Sequence, residues 1–225
     1  LRGWISSVPA AALYSGVCKV NAAIAAQVLI DSCRVEAIIN AGTAGGIDPS
    51  ISIFDTVIST ETAYHDVAED ILTEFHPWMD SIWFPGDPFL LSLATQAAQD
   101  SGRPVRFGRM VTGEAFLLAW EEAVRSAFHP LCADMESAAV AHVCHANGIP
   151  FLSIRTITDS ADRSAAACFE ENCRRASEIA AQVTHALFKR LAVSESCPIE
   201  KGELPRRISA PAKTPPAAAI PPTIA

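Results

Sequence analysis

Apolar and polar positions along the chain predict helices and short buried strands in alternation. Between Lys19 and Ser32, alanines and a leucine recur at helical spacing, which is typical of a helix with one face packed on a sheet. Short apolar runs such as Ala37–Ile39 and Val105–Val111 predict buried strands. Further strands are predicted at 10–14 and 53–60, and further helices at 88–100, 120–127 and 169–192. The alternation predicts an α/β fold with a mixed, mostly parallel central sheet flanked by helices.

A helix followed by a buried strand carries the polar residues that fit a buried core least well. The helix is predicted over Ser137–Ala146 and ends at Asn147–Gly148, a pair that tolerates the left-handed conformation. The strand is predicted over Phe151–Ile154 and leads directly into Arg155 and Asp159. Charged groups at the end of a buried strand are costly unless they are paired or used, and ligands of α/β sheets bind at such ends.

The composition predicts one globular domain followed by a tail. Half of the 225 residues are hydrophobic, which is enough for one sizeable core, and we place the domain at residues 1–193. From residue 194 onward the chain is rich in proline and alanine and loses helical periodicity. Such a composition cannot bury a core, so residues 194–225 are predicted to be a disordered tail.

Charge and cysteine content argue against several classes of protein. A net charge of −8 and a pI of about 5.2 disfavour a nucleic-acid-binding surface. The seven cysteines are odd in number and lack CxxC spacing, so we predict no metal site and no disulfide framework. Free thiols in a reducing, cytoplasmic compartment are the simpler interpretation. No apolar run reaches the roughly 18 residues of a membrane helix, so no membrane association is expected.

Three strand-end loops hold the candidate site residues, and each has a purely structural alternative. Glycines at Gly42–Gly46 could bring backbone N–H groups to a ligand, but the spacing matches no nucleotide-binding motif and could equally form a tight turn. In the second loop, Phe116 could stack on a flat base or simply fill the core. Glu136, Arg155 and Asp159 could form a site, or an ion pair and a helix cap.

Four segments of the chain resemble one enzyme family. They read SGVCKVNAA, INAGTAGGID, RMVTGEAFL and ADMESAAVAHVCHANGIPFLSIRTITDSAD. Over residues 10 to about 192, in the same order, they resemble the 5′-methylthioadenosine/S-adenosylhomocysteine nucleosidases of the nucleoside phosphorylase superfamily. The resemblance implies a nucleoside phosphorylase-like fold without a cofactor. The implied reaction is hydrolysis of the N-glycosidic bond of such a nucleoside to adenine and the thioribose.

The resemblance also implies roles for individual residues. Asp159 would be the catalytic acid, which protonates adenine at N7 and so makes the base a better leaving group. Glu136 would accept the ribose hydroxyls and favour the positive charge that develops on the sugar. The other substrate-binding positions are Thr43 and Arg155 for the attacking water, Met135 against the ribose, Phe116 stacked on adenine, Leu117 reading its edge through the main chain, and Thr158 of the (S/T)D motif.

Within this resemblance, Asn40 distinguishes hydrolysis from phosphorolysis. Phosphorylases of the superfamily carry an arginine at the matching position, where it grips phosphate. The amide of Asn40 offers no charge for phosphate, so water is the expected nucleophile. A nucleoside phosphorylase remains an alternative, as does a nucleoside-binding protein that does not catalyse the reaction.

Two features depart from the family pattern. The family begins with a strand that ends in the glutamate that activates the water, and no segment before Leu13 matches it. We therefore expect a fold that is incomplete at its N-terminus: either the sequence is part of a longer protein, or catalysis is impaired. Cys18 stands where the family has a glycine, and a cysteine is tolerable there if its φ is negative.

The resemblance further implies a homodimer. In the family, an aromatic loop of the partner closes the pocket for the 5′-alkylthio group, and residues 75–84 are the candidate for that loop. Exposed apolar patches of this kind favour an interface, although a loop packed on its own subunit is an equal possibility. The expected ligand is a small nucleoside substrate.

Overall fold

Eight strands and six helices make up the part of the chain that the structure describes. The structure is a computed structural model and describes residues 1–115, 117, 121–160 and 165–194. The strands are β1 (Arg2–Ile5), β2 (Val8–Ala11), β3 (Ile38–Gly46), β4 (Thr56–Tyr64), β5 (Phe84–Pro85), β6 (Val105–Thr112), β7 (Cys132–Asp134) and β8 (Phe151–Asp159). The helices are α1 (Lys19–Val28), which continues as a π-helical turn over Leu29–Cys33, α2 (Glu69–Glu74), α3 (Pro88–Ser101), α4 (Glu121–Phe128), α5 (Ser137–Asn147) and α6 (Ala165–Val193). The predicted tail lies outside the described residues, apart from Ser194.

The larger sheet is mixed and closes on itself. Its strand order is β5-β4-β6-β7-β3-β8, and β8 also pairs back to β4. The β3–β8, β4–β6 and β6–β7 pairs are parallel, whereas β3–β7, β4–β5 and β4–β8 are antiparallel. The α/β class and the mixed sheet predicted from the sequence are therefore confirmed. The alternation of elements does not predict the closure, which depends on pairing between strands that are distant in the chain.

Two buried threonines join the strands that close the sheet. Thr56 of β4 is paired with Thr156 of β8, and their Oγ1 atoms form a hydrogen bond of 2.9 Å. Both side chains are fully buried. Each hydroxyl therefore has the other as its partner in an interior where an unpaired polar group is costly.

Helices cover the sheet in two layers with separate hydrophobic cores. On one side α1 packs on α5, and small residues such as Ala22, Ala26 and Ala138 allow a close approach. On the other side α3 and α6 pack against β8, with Leu152 and Val183 among the fully buried residues. The capping signals of α3 are local, because Asp87 accepts the Leu90 N–H at its start and Gly102 ends it in the left-handed conformation.

The sequence places most helices correctly but misjudges several strands. The strand predicted at 10–14 lies instead at Val8–Ala11. Two further errors concern β3 and β8. The predicted turn after Ile39 is wrong, because β3 continues through the glycines to Gly46. The strand predicted over Phe151–Ile154 is wrong at its end, because β8 continues to Asp159 with every residue buried. Both errors have one cause. The glycines and the polar residues pair with each other across β3 and β8, and a single segment gives no sign of that pairing.

None of the described helices has both the length and the apolar character that crossing a bilayer requires. The longest, α6, has 29 residues, but its exposed side carries charged residues such as Glu171, Arg174 and Glu178. Within the same described residues, no group of three or more histidine, cysteine or carboxylate side chains is arranged to hold a metal ion.

The closure makes a prediction for stability. Thr156→Val leaves the Thr56 hydroxyl buried without a partner, so we expect the free energy of unfolding to fall by about 1–3 kcal/mol, and Thr56→Val has a similar effect. The double variant removes both hydroxyls and should cost clearly less than the sum of the single variants. Urea denaturation of the four proteins measures this. Additive effects would contradict the coupling between the two hydroxyls.

Candidate active site

Strand β8 carries an arginine into the interior of the protein. Arg155 is only 4% exposed, and a charge at that depth requires partners. Its Nε lies 2.8 Å from Asp134 Oδ2, and its Nη2 donates to Glu136 Oε2 at 3.3 Å. Its Nη1 donates to the main-chain oxygen of Thr43 at 3.4 Å. One guanidinium thus joins β3, β7, β8 and the start of α5.

The glycines of β3 make room for this guanidinium. Gly42 pairs with Arg155 across the parallel β3–β8 ladder, and a β-carbon at Gly42 would overlap Arg155 Nη1. Gly46 plays a similar part further along, where a β-carbon would press on Ile157. The stretch is rich in glycine because side chains of the neighbouring strand fill the space above it.

Asp134 is the second buried carboxylate of the network, and the sequence does not reveal its role. It ends β7 immediately before α5, and its Oδ1 accepts the hydroxyl of Thr112 at 2.6 Å and the N–H of Ser137 at 3.1 Å. Its Oδ2 accepts from the Ser137 hydroxyl and forms the ion pair with Arg155. The Arg155 Nε donates its hydrogen bond to the same Ser137 hydroxyl at 3.2 Å. An acidic residue just before a small-residue helical run can accept the free N–H groups at the helix start, and that signal could have identified it.

Glu136 lies where α1, α5 and β8 meet. Its Oε2 faces Arg155, and its Oε1 accepts the main-chain N–H of Cys18 at 3.0 Å. Burial raises the pKa of the Glu136 carboxyl, while the nearby Arg155 charge opposes that rise. A half-buried carboxylate with a raised pKa and a cationic partner is typical of functional sites.

The backbone of Cys18 is strained where it meets Glu136. Its φ is +76° and its ψ is 164°, a region that residues with a side chain rarely adopt. The φ of Cys18 is therefore not negative, and the condition under which a cysteine is tolerable in place of the family's glycine is not met. The physical reason is the hydrogen bond to Glu136, because this conformation presents the Cys18 N–H to the carboxylate at the start of α1.

A β-bulge places Asp159 at the end of the same strand. On β8, Ile157 pairs with Ala44 and Asp159 pairs with Gly45, so Thr158 is an extra residue. Such bulges redirect the side chains that follow them. Asp159 is 3% exposed, and its Oδ2 accepts the hydroxyl of Thr158 at 2.8 Å. From α6, the Asn172 amide donates to the Thr158 main-chain oxygen at 2.9 Å and holds the bulge in place.

The other residues predicted for the site occupy different environments. Met135 is half-buried and stands between Asp134 and Glu136 in the sequence. The main-chain oxygen of Thr43 accepts from Arg155. The side chain of Leu117 is buried in a core with Ile47, Val111 and Val124. Phe116 lies outside the described residues. The structure therefore brings Thr43, Glu136 and Arg155 into one network, with Thr158 and Asp159 further along β8.

Asn40 contributes to the same network from β3. Its side-chain amide donates to the Ser137 hydroxyl at 3.1 Å, and its main-chain oxygen accepts from Ser153 at 3.3 Å. The hydroxyls of Ser137 and Ser153 are 2.7 Å apart. The Asn40 amide is thus bound to a neutral hydroxyl group, that of Ser137.

A cavity of about 460 Å³ lies between Glu114 and helix α4. Glu114, on its rim, accepts the main-chain N–H of Lys19, the residue after Cys18. The Lys19 ammonium in turn pairs with Asp66 at 2.9 Å. The remaining wall is largely apolar and comes mainly from α4; the lining residues there include Leu117, Ala123, Val124, Ala127 and Phe128. The cavity thus has a polar rim and an apolar wall. The buried charges that could take part in a reaction belong to the Arg155 network and do not line this cavity.

Comparisons with known proteins agree on one family. The sequence profile of the phosphorylase superfamily matches residues 1–189. A 5′-methylthioadenosine/S-adenosylhomocysteine nucleosidase of Halalkalibacterium halodurans is 39% identical over 185 residues, which are 80% of this chain and 80% of that protein.

Two solved structures share the fold. The nucleosidase of S. pneumoniae with the transition-state inhibitor MT-ImmA has a TM-score of 0.78 at 30% identity, and the match covers 84% of this chain and 85% of that one. The nucleosidase of Neisseria meningitidis in complex with methylthio-immucillin-A also has a TM-score of 0.78, at 32% identity and 84% coverage of both chains. These structures confirm the predicted nucleoside phosphorylase-like fold.

The strain at Cys18 makes a testable prediction. Cys18→Gly removes a conformational cost of about 1–3 kcal/mol, offset by the greater freedom of glycine in the unfolded chain, roughly 0.5–1 kcal/mol. We therefore expect the free energy of unfolding to rise by about 1 kcal/mol, as measured by urea denaturation. Cys33→Gly is the matched control, because Cys33 lies in the π-helical turn without a positive φ and glycine there should be destabilising. Equal losses in both variants would contradict the strain.

Proposed function

Because the chain belongs to the 5′-methylthioadenosine/S-adenosylhomocysteine nucleosidase family of the phosphorylase superfamily, we propose that it hydrolyses the N-glycosidic bond of these nucleosides. Water replaces the base at the anomeric carbon, so the products are adenine and the thioribose. The observation that carries the proposal is the arrangement along β8. Arg155 holds Glu136 from the middle of this strand, and Asp159 lies at its end.

Glu136 serves the sugar side of the reaction. Cleavage of an N-glycosidic bond leaves positive charge on the ribose, and a carboxylate that accepts the ribose hydroxyls stabilises that charge. The contacts of Glu136 support this role, because its two oxygens are oriented by Arg155 and by the Cys18 N–H from separate elements. Met135 precedes it and packs against the same sugar.

Asp159 serves the base side of the reaction. The electrons of the broken bond pass to the purine, and an acid at N7 offsets the resulting negative charge. The burial of Asp159 and the bulge at Thr158 support this role, because both fix the direction of the carboxyl group. Phe116 stacks on the adenine, and the Leu117 main chain contacts its edge.

Water is a better nucleophile than phosphate at this site. Phosphate binding requires cationic donors that are free to form bidentate bonds. The charge of the Arg155 guanidinium is already paired with Asp134 and Glu136, and Asn40 donates to Ser137. Thr43 and Arg155 then orient water, for which one or two hydrogen bonds are enough.

The assembly and cellular setting extend the same proposal. The protein acts in the cytoplasm as a homodimer in nucleoside catabolism and methionine salvage, without a cofactor. The two ends of the aromatic loop at residues 75–84 differ in exposure. Phe84 is buried against Tyr64 and His142, whereas the Phe75 side chain is 59% exposed. An exposed aromatic side chain of this kind is available to a partner subunit.

The direct test is release of adenine from methylthioadenosine. We expect release by the wild-type chain and a decrease in kcat of about 100-fold or more in Asp159→Asn, since an amide has no proton to give to N7. Asp31→Asn is the matched control, because Asp31 is exposed in the π-helical turn and should retain wild-type kcat. Binding of methylthioadenosine without release of adenine by the wild type would contradict hydrolysis and favour a nucleoside-binding protein.

Phosphate in the same assay separates hydrolysis from phosphorolysis. The hydrolase produces free thioribose at an unchanged rate when phosphate is omitted. A rate that rises with phosphate, together with formation of the ribose 1-phosphate derivative, would overturn the assignment of water as nucleophile.

A further inference from the structure

Asp134 takes no part in the chemistry at the sugar or the base, yet of the described groups around the Arg155 guanidinium it lies nearest. Its Oδ2 lies 2.8 Å from Arg155 Nε, whereas Glu136 Oε2 lies 3.3 Å from Nη2. We propose that Asp134 is a positioning residue, which fixes the orientation of Arg155 and leaves Glu136 free to bind the sugar. This inference rests on the proposed function.

The geometry of the guanidinium supports the first half of the proposal. The group is planar, so a partner at Nε fixes the directions in which both Nη atoms point. Asp134 forms an ion pair with Nε, and it also accepts from the Ser137 hydroxyl to which Nε donates. With Nε held in this way, the two Nη atoms are directed at the Thr43 carbonyl and at Glu136. Asp134 itself cannot rotate freely, because it also accepts hydrogen bonds from Thr112 and from the Ser137 N–H.

The balance of charge supports the second half. Arg155 is the cation that pairs with both Asp134 and Glu136. Without the Asp134 charge, Arg155 would pair with Glu136 alone and compete with the ribose hydroxyls for its oxygens. The groups facing Glu136 are Arg155 on β8, Asp134 on β7 and the Cys18 N–H at the start of α1. Of these, Asp134 is the one whose charge opposes ionisation of Glu136.

A purely structural role predicts something different. Asp134 also caps α5, since it accepts the N–H groups of Glu136 and Ser137. If capping were its whole contribution, its replacement would lower stability and reduce activity only through the fraction of protein that is unfolded. The pH dependence of the folded enzyme would stay unchanged.

The experiment compares Asp134→Asn with Thr112→Val. The asparagine retains the shape of the side chain and an oxygen for the α5 N–H groups, but it loses the charge. We expect kcat for adenine release to fall by about 30-fold or more, while KM changes less than about threefold. Burial and Asp134 both raise the pKa of Glu136, so the acidic limb of the kcat profile should move to lower pH in Asp134→Asn.

Thr112→Val removes one hydrogen bond to the same carboxylate and the acceptor of the Ala138 N–H in α5, and it leaves the Asp134 charge. It should lower the melting temperature without moving the acidic limb. An Asp134→Asn enzyme with wild-type kcat, or with a reduced kcat and an unmoved acidic limb, would overturn the proposal. If that variant does not fold, Asp134→Glu takes its place, since it retains the charge but displaces the oxygens. A lower kcat with an unmoved limb then supports the proposal, and wild-type kcat overturns it.

Failure of the proposed function is recognised separately, because the wild type would then release no adenine. In that case calorimetry measures the affinity of the wild type and of Asp134→Asn for methylthioadenosine, and this affinity tests the role of Asp134. Affinity at least about tenfold weaker in Asp134→Asn supports positioning of a binding site, and equal affinity overturns it.

Discussion

The burial of Arg155 is the constraint that the rest of the site satisfies. A lone charge in the interior would cost several kcal/mol, and removing one partner from a buried ion pair typically costs about 3–5 kcal/mol. The protein meets this cost with two carboxylates, Asp134 and Glu136, and with the carbonyl of Thr43. These partners come from three different elements. The packing of β3, β7 and α5 around β8 is therefore tied to the same charge that orients the sugar-binding group.

Local features that look unfavourable in isolation follow from this constraint. Glycine weakens a strand, yet Gly42 is required because a side chain there would displace the guanidinium. Cys18 has a strained backbone, yet that conformation delivers its N–H to Glu136. A bulge interrupts the ladder at Thr158, yet it directs Asp159. Strain concentrated around two acidic groups is what a pre-organised catalytic site requires.

The sequence predicts the helices and the family well, because apolar spacing, caps and motifs are local signals. It predicts α5 and its end at Gly148 almost completely. It fails where distant segments meet: the pairing of Thr56 with Thr156 and the continuation of β3 through its glycines depend on the register between strands. The role of Asp134 was hidden for the same reason, since its main partner is 21 residues away on another strand.

Arg155→Lys tests most directly whether the shape of the guanidinium, and not merely its charge, organises the site. Lysine supplies the charge from a single nitrogen and cannot face Asp134, Glu136 and the Thr43 carbonyl in one fixed plane. The measurement is kcat/KM for adenine release by the folded variant. The structure predicts a loss of about 100-fold or more, with the chain still folded. Activity within a few-fold of the wild type would show that charge alone suffices and would contradict this account.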